Sequence, residues 1–459
     1  MSRPRVAVIG GGAAGLVAGC RLRAIGLEPV LFESTPQVGG IMRTERRDGW
    51  VIDTGPCLAA EPDPVVRSLL DAAGCTDGTL RAGPRGNNRY VVHQGAPAAI
   101  PHTIAEFTSS PLLSLGGRLR LLKERFIPQK DIAEETVDAF ARRRFGDEMA
   151  DRVFDPLLAS TCAGDPREIL ARYAFPSIVG HERRSGSGLQ GNTRARMEAR
   201  RKARGKPTGS WGFANGMGAL AERLAATIGD VRTGAAIAAI DASSRGVELH
   251  GAWGDDAFAG AILAVPAVAW ARVDVDIPGG HALSEIATMP HASIASVSLG
   301  FARSQVRHPL DAARLLVPGV EQRSILSAVF PSSVLPARAP DDHVLITAYL
   351  GGARRPDVVD LSETALAALA HRDLAELLGI DGEPVMRNIT VWREALPQAV
   401  IGHRRRLAAA EMIEASAGAV AFAGSWRDGL SLAETMLGGA QAANRLAARR
   451  GWVAVPASI

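Results

Sequence analysis

The chain holds only four lysines among its 459 residues, Lys123, Lys130, Lys202 and Lys206, so arginine supplies most of its 52 basic side chains. Its four cysteines, Cys20, Cys57, Cys75 and Cys162, form no C-x-x-C pair. That excludes a disulfide framework and fits a reducing compartment. Charge of one sign is also lacking: 52 basic side chains face 48 acidic ones, a formal net charge of +4. This balance excludes a nucleic-acid footprint, even with a pI near 9.1. No apolar run reaches membrane-spanning length. The longest candidate, Ala259 to Ala271, is interrupted by Pro266. The first strand begins by Val6, so no signal peptide is expected ahead of it. The expectation is a soluble, cytoplasmic protein, with peripheral membrane contact left open. No metal-ligand spacing occurs, so no metal is expected. What remains is an ordinary globular composition, 47% hydrophobic and 22% charged, long enough for roughly two to three domains.

Residues 6 to 33 organise the rest. The run Val6-Ala7-Val8-Ile9 is a β-branched strand leading into Gly10-x-Gly12-x-x-Gly15, followed by an Ala/Leu-rich helix and a second strand ending in Glu33. In this motif the first glycine permits a tight turn and the second lets backbone approach a pyrophosphate. The third lets the helix pack against the strand. The helix N-terminus offers unpaired N–H groups and partial positive charge to phosphates. Glu33 is placed to hold ribose hydroxyls, and an acid there disfavours the 2′-phosphate of NADP. The spacing predicts a dinucleotide site. A second close-approach turn at Gly39-Gly40 and a strand closing on Thr54-Gly55-Pro56 suit a longer, extended cofactor. They favour FAD over NAD.

Further along, residues 62 to 74 read as a short helix and Arg89 to Val92 as a strand. Residues 104 to 173 read as mostly helical, punctuated by prolines. The stretch 182–206 carries nine basic residues, Arg183, Arg184, Arg194, Arg196, Arg200, Arg201, Lys202, Arg204 and Lys206, against Glu182 and Glu198. It reads as a solvated loop or as a phosphate- or membrane-surface patch. A helix is expected through Ala226, a strand pair over 235–252, and a buried strand over 261–266. Residues 293–400 alternate like an antiparallel sheet, with an amphipathic helix over 360–378. The chain closes with a buried strand, 420–424, and a helix from about Leu430 to Arg449. The N-terminus of that helix, near residue 429, is expected to stabilise negative charge on a reduced flavin ring.

These residues resemble the protoporphyrinogen oxidase branch of the flavin amine-oxidase superfamily, from residue 5 to about 448. The resemblance is carried by Gly39-Gly40-x-x-x-Thr44, Thr54-Gly55-Pro56, Ala163-Gly164-Asp165-Pro166 and Ala174-Phe175-Pro176. It continues through Phe213-x-x-Gly216-Met217, Leu316-Val317-Pro318 with Arg338-Ala339-Pro340, and Trp392-x-x-Ala395-x-Pro397-Gln398. It implies an α/β fold: a discontinuous Rossmann-type FAD-binding domain (1–82, 207–270 and 401–459) and an antiparallel-sheet substrate-binding domain (83–105 and 271–400). An all-helical, often membrane-facing insert spans 106–206, with the basic loop 182–206 at its end. It also implies non-covalent FAD. The cofactor-binding residues it carries over are Gly10, Gly12, Ala13, Ala14, Gly15, Glu33, Ser34, Gly39, Gly40, Arg43, Thr44, Thr54, Gly55 and Pro56. Later in the chain they are Ile237, Trp392, Gly424, Ser425, Gly429, Leu430, Ser431 and Leu432. Substrate contacts are implied at Arg89, Ser160, Ala163 and Gly164. Arg89 falls where the family grips a substrate propionate, and a guanidinium fork suits a carboxylate.

Departures from the family pattern cluster near the expected ring: Cys57 for a polar residue, Ser160 for Gly, Ala399 for Tyr, and Gly424-Ser425-Trp426-Arg427-Asp428-Gly429-Leu430 for Gly-Asn-Tyr-x-x-Gly-Val. Hydride transfer to a flavin needs a positioned donor carbon and a dry pocket, and demands no side-chain acid or base. The leading expectation is therefore an oxidase of a porphyrinogen-type, carboxylate-bearing small molecule, passing electrons to oxygen, with a homodimer left open. One alternative is a divergent family member oxidising or desaturating another metabolite, an amine or a polycycle. The other is a redox-silent FAD isomerase or binding protein. An ordinary amine oxidase, which in this superfamily holds a lysine over the flavin from the middle sheet, is disfavoured because no lysine follows Lys206.

Overall fold

The computed structural model describes residues 3–101, 103–188, 191 and 209–452. Most of the basic stretch, Arg194 through Lys206, lies outside the described residues. At the centre is a five-stranded, all-parallel sheet in the order Val420–Phe422, Gly260–Leu263, Arg5–Ile9, Glu28–Glu33, Asp230–Thr233. Val6, Ala7, Val8, Ile262 and Ala421 are fully buried. Such continuous apolar strands are what a parallel sheet covered on both faces requires. Helices Ala13–Ala24, Met217–Ile228 and Leu432–Arg449 cover one face, with Leu16, Leu220, Leu224 and Leu446 in one core. The other face packs on a four-stranded sheet and on helix His403–Ala417 through Phe32, Ile240, Leu249, Ile413 and Phe422.

A seven-stranded sheet forms the second layer system, ordered Met386–Pro397, His291–Ala302, His343–Gly351, Ile325–Val329, Arg314–Leu316, Arg89–His93, Ala96–Ala99. It is antiparallel as expected, with one exception: Arg314–Leu316 runs parallel to Arg89–His93. One face is apolar and packs against helix Glu363–Leu378 through Val297, Leu299, Ile346, Leu366 and Leu374. That helix starts where the Ser362 hydroxyl accepts the Ala365 N–H and stops at Gly379, φ 62°. Alternation turns the other residues to the opposite face. That face is hydroxyl-rich: Ser296, Ser298, Ser327 and Thr347 are buried on it, beside Tyr349 and Trp392.

Between residues 104 and 185 the chain is helical, packed around Phe140, Phe145, Phe154 and Leu158. Arg144 pairs with Glu124 inside it, both essentially inaccessible to water. Helix Leu115–Leu122 and the following turn leave Leu115, Leu119 and Phe126 exposed at 76%, 61% and 71%. Among the described residues no helix is long and apolar enough to cross a membrane.

Three details depart from expectation. Strand Asp274–Asp276 joins the four-stranded sheet beside Ile237–Ala242 instead of the seven-stranded one. Ile277, Leu283, Ile286 and Met289 bury in the same core as Ile240. The terminal helix begins at Leu432, not Leu430, because Ser425–Asp428 forms a separate turn of helix ending at Gly429, φ 130°. Ser431 caps the terminal helix in a reciprocal box: its hydroxyl accepts the Glu434 N–H at 3.2 Å, and Glu434 accepts the Ser431 N–H at 3.0 Å. The Glu434 carboxylate therefore occupies part of the N-terminus expected to face a reduced ring.

Candidate active site

The glycine turn is built by close approach. A Cβ on Gly15 would stand 1.9 Å from the Gly10 carbonyl oxygen, so helix and strand meet there only without a side chain. Gly12 differs: its backbone is extended (φ −76°), and a Cβ there would meet nothing within 4 Å. It is the N-cap of helix Ala13–Ala24, and no side chain caps its N–H groups. The first turn of that helix therefore opens on space with its donors unclaimed by side chains, as a phosphate cradle requires. Glu33 is buried, with Oε2 accepting the Gly11 N–H at 2.8 Å and Oε1 the Thr35 N–H at 2.9 Å. Gly39 donates to the Gly11 carbonyl at 2.7 Å, which brings the Gly39-Gly40 turn alongside the fingerprint. Ser34 follows Glu33, and its hydroxyl is 3.4 Å from Oε1. Ile237 lies two residues beyond Ala235, whose N–H donates to the Glu33 carbonyl at 2.9 Å. The residues present fit an adenine dinucleotide.

The second cluster surrounds Asp53. Its Oδ1 accepts the Thr44 hydroxyl at 2.6 Å and the Met217 N–H at 2.8 Å, while Oδ2 lies 2.9 Å from Arg338 Nη2. Arg338 also donates to the Phe213 carbonyl at 2.9 Å. Both side chains of the pair are 1% exposed. Burial pushes the Asp53 carboxyl up from its ordinary value, opposed by the Arg338 charge and the Thr44 hydroxyl. The pair joins Thr44, the start of helix Met217–Ile228 and the 331–340 segment. Nearby, Trp392 donates to the Thr54 carbonyl at 2.8 Å and Tyr349 to the Gly55 carbonyl at 3.2 Å. Arg43 lies over the Trp392 ring at 5.7 Å. The hydroxyl-rich sheet face is thus tied to Thr54-Gly55-Pro56. Burial raises the Cys57 thiol to about 11.

The C-terminal segment closes on the first helix. A Cβ on Gly439 would stand 2.1 Å from the Ala14 carbonyl oxygen, so helices Ala13–Ala24 and Leu432–Arg449 touch backbone to backbone. Gly424 donates to Asp428 Oδ2 at 2.8 Å, folding 424–429 into a hook that carries Ser425, Gly429 and Leu430. Burial raises the Asp428 carboxyl to about 6, against the Gly424 N–H and the charges of Arg427 and Arg445. A cavity of about 230 Å³ lies beside this hook, lined by Tyr173, Ala399, His403, Trp426 and Leu430 among others. Burial lowers His403 to about 4, so it is neutral at pH 7.

Arg89 is exposed at the start of its strand. The Ser160 hydroxyl turns back to donate to Leu157 O in its own helix at 3.0 Å. Ala163 and Gly164 form a buried corner: the Ala163 carbonyl accepts the Ala353 N–H at 2.8 Å, and a Cβ on Gly164 would strike Gln398. Arg338, Asp53 and Tyr349 were not singled out from sequence as site residues. Their partners lie hundreds of residues away, and only the Arg338-Ala339-Pro340 run hinted at the first.

A model of the family described as flavin containing amine oxidoreductase matches residues 13–449. The mitochondrial protoporphyrinogen oxidase of Nicotiana tabacum is 28% identical over 477 residues, covering 96% of this chain and 94% of that protein. The coproporphyrinogen III oxidase of Bacillus subtilis (strain 168) is 28% identical, covering 88% and 89%. Among solved structures, a protein of Exiguobacterium sp. 255-15 superposes with a TM-score of 0.79 at 21% identity, covering 97% and 98%.

Proposed function

The chain belongs to the flavin containing amine oxidoreductase family, and from that premise we propose that it is an FAD-dependent oxidase of a porphyrinogen-type, carboxylate-bearing substrate, with oxygen as acceptor. Bound non-covalently, FAD would accept a hydride at its ring and return the electrons to oxygen. The uncapped first turn of helix Ala13–Ala24 and Gly12 would receive the pyrophosphate, and Glu33 the ribose. Asp53 and Arg338 would fix Thr44, and the aromatic tips of Trp392 and Tyr349 would fix Thr54-Gly55-Pro56 beside the ring. The hydroxyl-rich sheet face and helix Asp155–Cys162 would enclose the substrate and exclude water. In this reading the parallel sheet with its helices is the FAD-binding part, and the seven-stranded sheet holds substrate.

The observation that carries the reading is the match to both a protoporphyrinogen and a coproporphyrinogen III oxidase over most of the chain. The test is anaerobic mixing of the flavin-loaded protein with each porphyrinogen. Bleaching of the flavin absorbance with either supports the proposal, and no bleaching with both overturns it. In that event a second reading takes over, oxidation or desaturation of another metabolite. It is favoured by one observation: two departures from the family pattern, Ala399 and Trp426, line the same 230 Å³ cavity.

Peripheral membrane contact belongs to the same proposal. Leu115, Leu119, Leu122 and Phe126 recur at helical spacing on one exposed stripe, flanked by Lys123 and Arg125. An exposed apolar stripe with basic flanks suits the surface of an anionic bilayer.

A further inference from the structure

The cavity of about 230 Å³ beside the 424–429 hook is walled by Arg172, Tyr173 and Pro176, by Ala399 and His403, and by the hook itself. Among the described residues no part of the glycine fingerprint and none of the hydroxyl-rich sheet face lines it. His403 and Trp426 on its wall are each 2% exposed, yet His403 Nδ1 and Trp426 Nε1 have no hydrogen-bond partner among the described residues. An indole N–H can only donate, and a neutral imidazole keeps one N–H to donate as well. Polar groups buried in this way cost stability until something satisfies them.

The acids on the wall are already engaged. Asp428 accepts the Gly424 N–H at 2.8 Å, and Glu434 accepts the Ser431 N–H at 3.0 Å. Arg427 is engaged too, with Glu414 at 2.7 Å. What is left unclaimed is positive. Helix His403–Ala417 opens with Arg404, Arg405 and Arg406, with no acid in its first turn and no side-chain cap at Gly402. None of the three makes an ion pair among the described residues, and Arg406 Nε and Nη1 are buried without a partner. Glu134 accepts the Gly402 N–H at 2.9 Å and pairs with none of them. The helix macrodipole is already positive at this end, so the three cations stand against it. A second arginine triplet shows the contrast. Arg142, Arg143 and Arg144 close helix Val137–Phe145, where the dipole favours cations, and pair with Asp138, Glu135 and Glu124. The uncompensated charge reaches the cavity: that of Arg406 is felt at His403, and those of Arg172 and Arg404 at Tyr173. Arg172 itself meets the exposed Asp131 only at 3.4 Å.

A cavity of about 150 Å³ is enough to hold benzene, so this one takes a six-membered ring with one polar substituent. Pro176, Met289 and Leu430 supply apolar wall, and Tyr173 and Trp426 supply rings. Ala399, at a position where the family pattern carries a tyrosine, leaves the space open. We propose that the cavity is a binding site for a single-ring aromatic carboxylate, with the ring against Tyr173 and Trp426 and the carboxylate turned toward the arginine-rich start of helix His403–Ala417. Its occupant touches the hook that carries Ser425, Gly429 and Leu430, and is separate from whatever the seven-stranded sheet holds. The site stands independently of the porphyrinogen reading, because no residue of the sheet face enters it.

The test is isothermal titration calorimetry of flavin-loaded protein with benzoate and with benzamide, its neutral counterpart of the same shape, at millimolar concentration. Wild type is expected to bind benzoate, and benzamide roughly tenfold more weakly, the scale of a charge-assisted hydrogen bond. Ala399→Tyr should fill the cavity and abolish benzoate binding while flavin content stays unchanged. Trp426→Phe, which keeps a ring and loses the N–H, should weaken benzoate severalfold. Arg404→Gln is an exposed change that guards against a cavity variant that fails to fold, and it should weaken benzoate without weakening benzamide. The proposal is overturned if wild type binds no benzoate, if benzamide binds equally well, or if Ala399→Tyr and Arg404→Gln both bind benzoate as wild type does. Benzoate binding that responds to these variants, in a protein whose flavin no porphyrinogen bleaches, leaves this site standing while the oxidase reading falls.

Discussion

Replacing Arg338 with methionine removes the guanidinium that most opposes the burial of the Asp53 charge, Arg46 acting on it only as the weakest of the opposing influences. Both side chains are 1% exposed, and Asp53 Oδ2 has Arg338 as its charged neighbour at 2.9 Å. Deleting one partner of a buried pair costs about 3–5 kcal/mol, because a desolvated charge is left behind. With an unfolding entropy of about 2.1 cal/mol/K per residue, a chain of this length loses about 1 °C of melting temperature per kcal/mol. Arg338→Met is therefore expected to melt about 3–5 °C lower at pH 8. The deficit has a signed pH dependence. Burial already pushes the Asp53 carboxyl up, and Arg338 opposes that push, so its removal raises the folded-state value further. A carboxyl that keeps its proton in the folded chain and loses it in the unfolded one stabilises the fold fully below its unfolded value, about 3.9. That stabilisation is lost as pH rises through the folded value. The deficit should shrink from pH 8 toward pH 5, as protonation of Asp53 removes the orphaned charge. The assay is differential scanning fluorimetry of the flavin-free protein across this range, so that cofactor loss does not confound it. A variant melting within 1 °C of wild type at pH 8, or losing equally at pH 5, would refute the view that the pair holds Thr44 and Met217 together by charge.

Gly12→Ala should leave the fold intact and abolish flavin retention, because its Cβ meets no protein atom and occupies the proposed phosphate space. Gly15→Ala, whose Cβ would stand 1.9 Å from a carbonyl oxygen, should lower the melting temperature of the flavin-free protein as well; equal behaviour of the two variants refutes the distinction. For Asp428, a folded value of about 6 lies above the unfolded one, so wild type should lose stability as pH rises from 4 to 6, by about 3 kcal/mol in all. Asp428→Asn should flatten that slope in pH-dependent melting curves, and an unchanged slope assigns it to another group. Leu119→Ser with Phe126→Ser should reduce co-sedimentation with vesicles containing anionic lipid, while leaving flavin content unchanged. Undiminished binding removes the stripe from the membrane proposal.

The dinucleotide fingerprint was legible because its geometry is local: Glu33 reaches Gly11 at 2.8 Å within one strand–helix–strand unit. Helix Glu363–Leu378 was legible for the same reason, its apolar period and its terminal glycine lying within one short stretch. The contacts that shape the rest of the candidate site join residues far apart in the chain. Asp53 and Arg338 are separated by 285 positions, and Arg89 meets Arg314 through a parallel pairing that no alternation pattern announces. The Ser431–Glu434 box is a different case. Its S-x-x-E spacing was there to be read, and it would have placed the helix start at Leu432 and put a carboxylate at its N-terminus.

The contact of Gly439 with Ala14 joins helices more than 400 residues apart in the chain, and that distance is also a delay. At about 5–20 residues/s, helix Ala13–Ala24 leaves the ribosome roughly 20–80 s before helix Leu432–Arg449. Through that interval the second strand and its acid can form, but the helix that leans on Ala14 and the strand Val420–Phe422 at the sheet edge do not yet exist. A cofactor site built from both ends of the chain, as proposed above, is complete only once the last helix has been made. Nascent chains must wait with an open sheet edge beside Gly260–Leu263 until strand Val420–Phe422 has been made and can pair with it, an exposure to aggregation confined to the interval of synthesis.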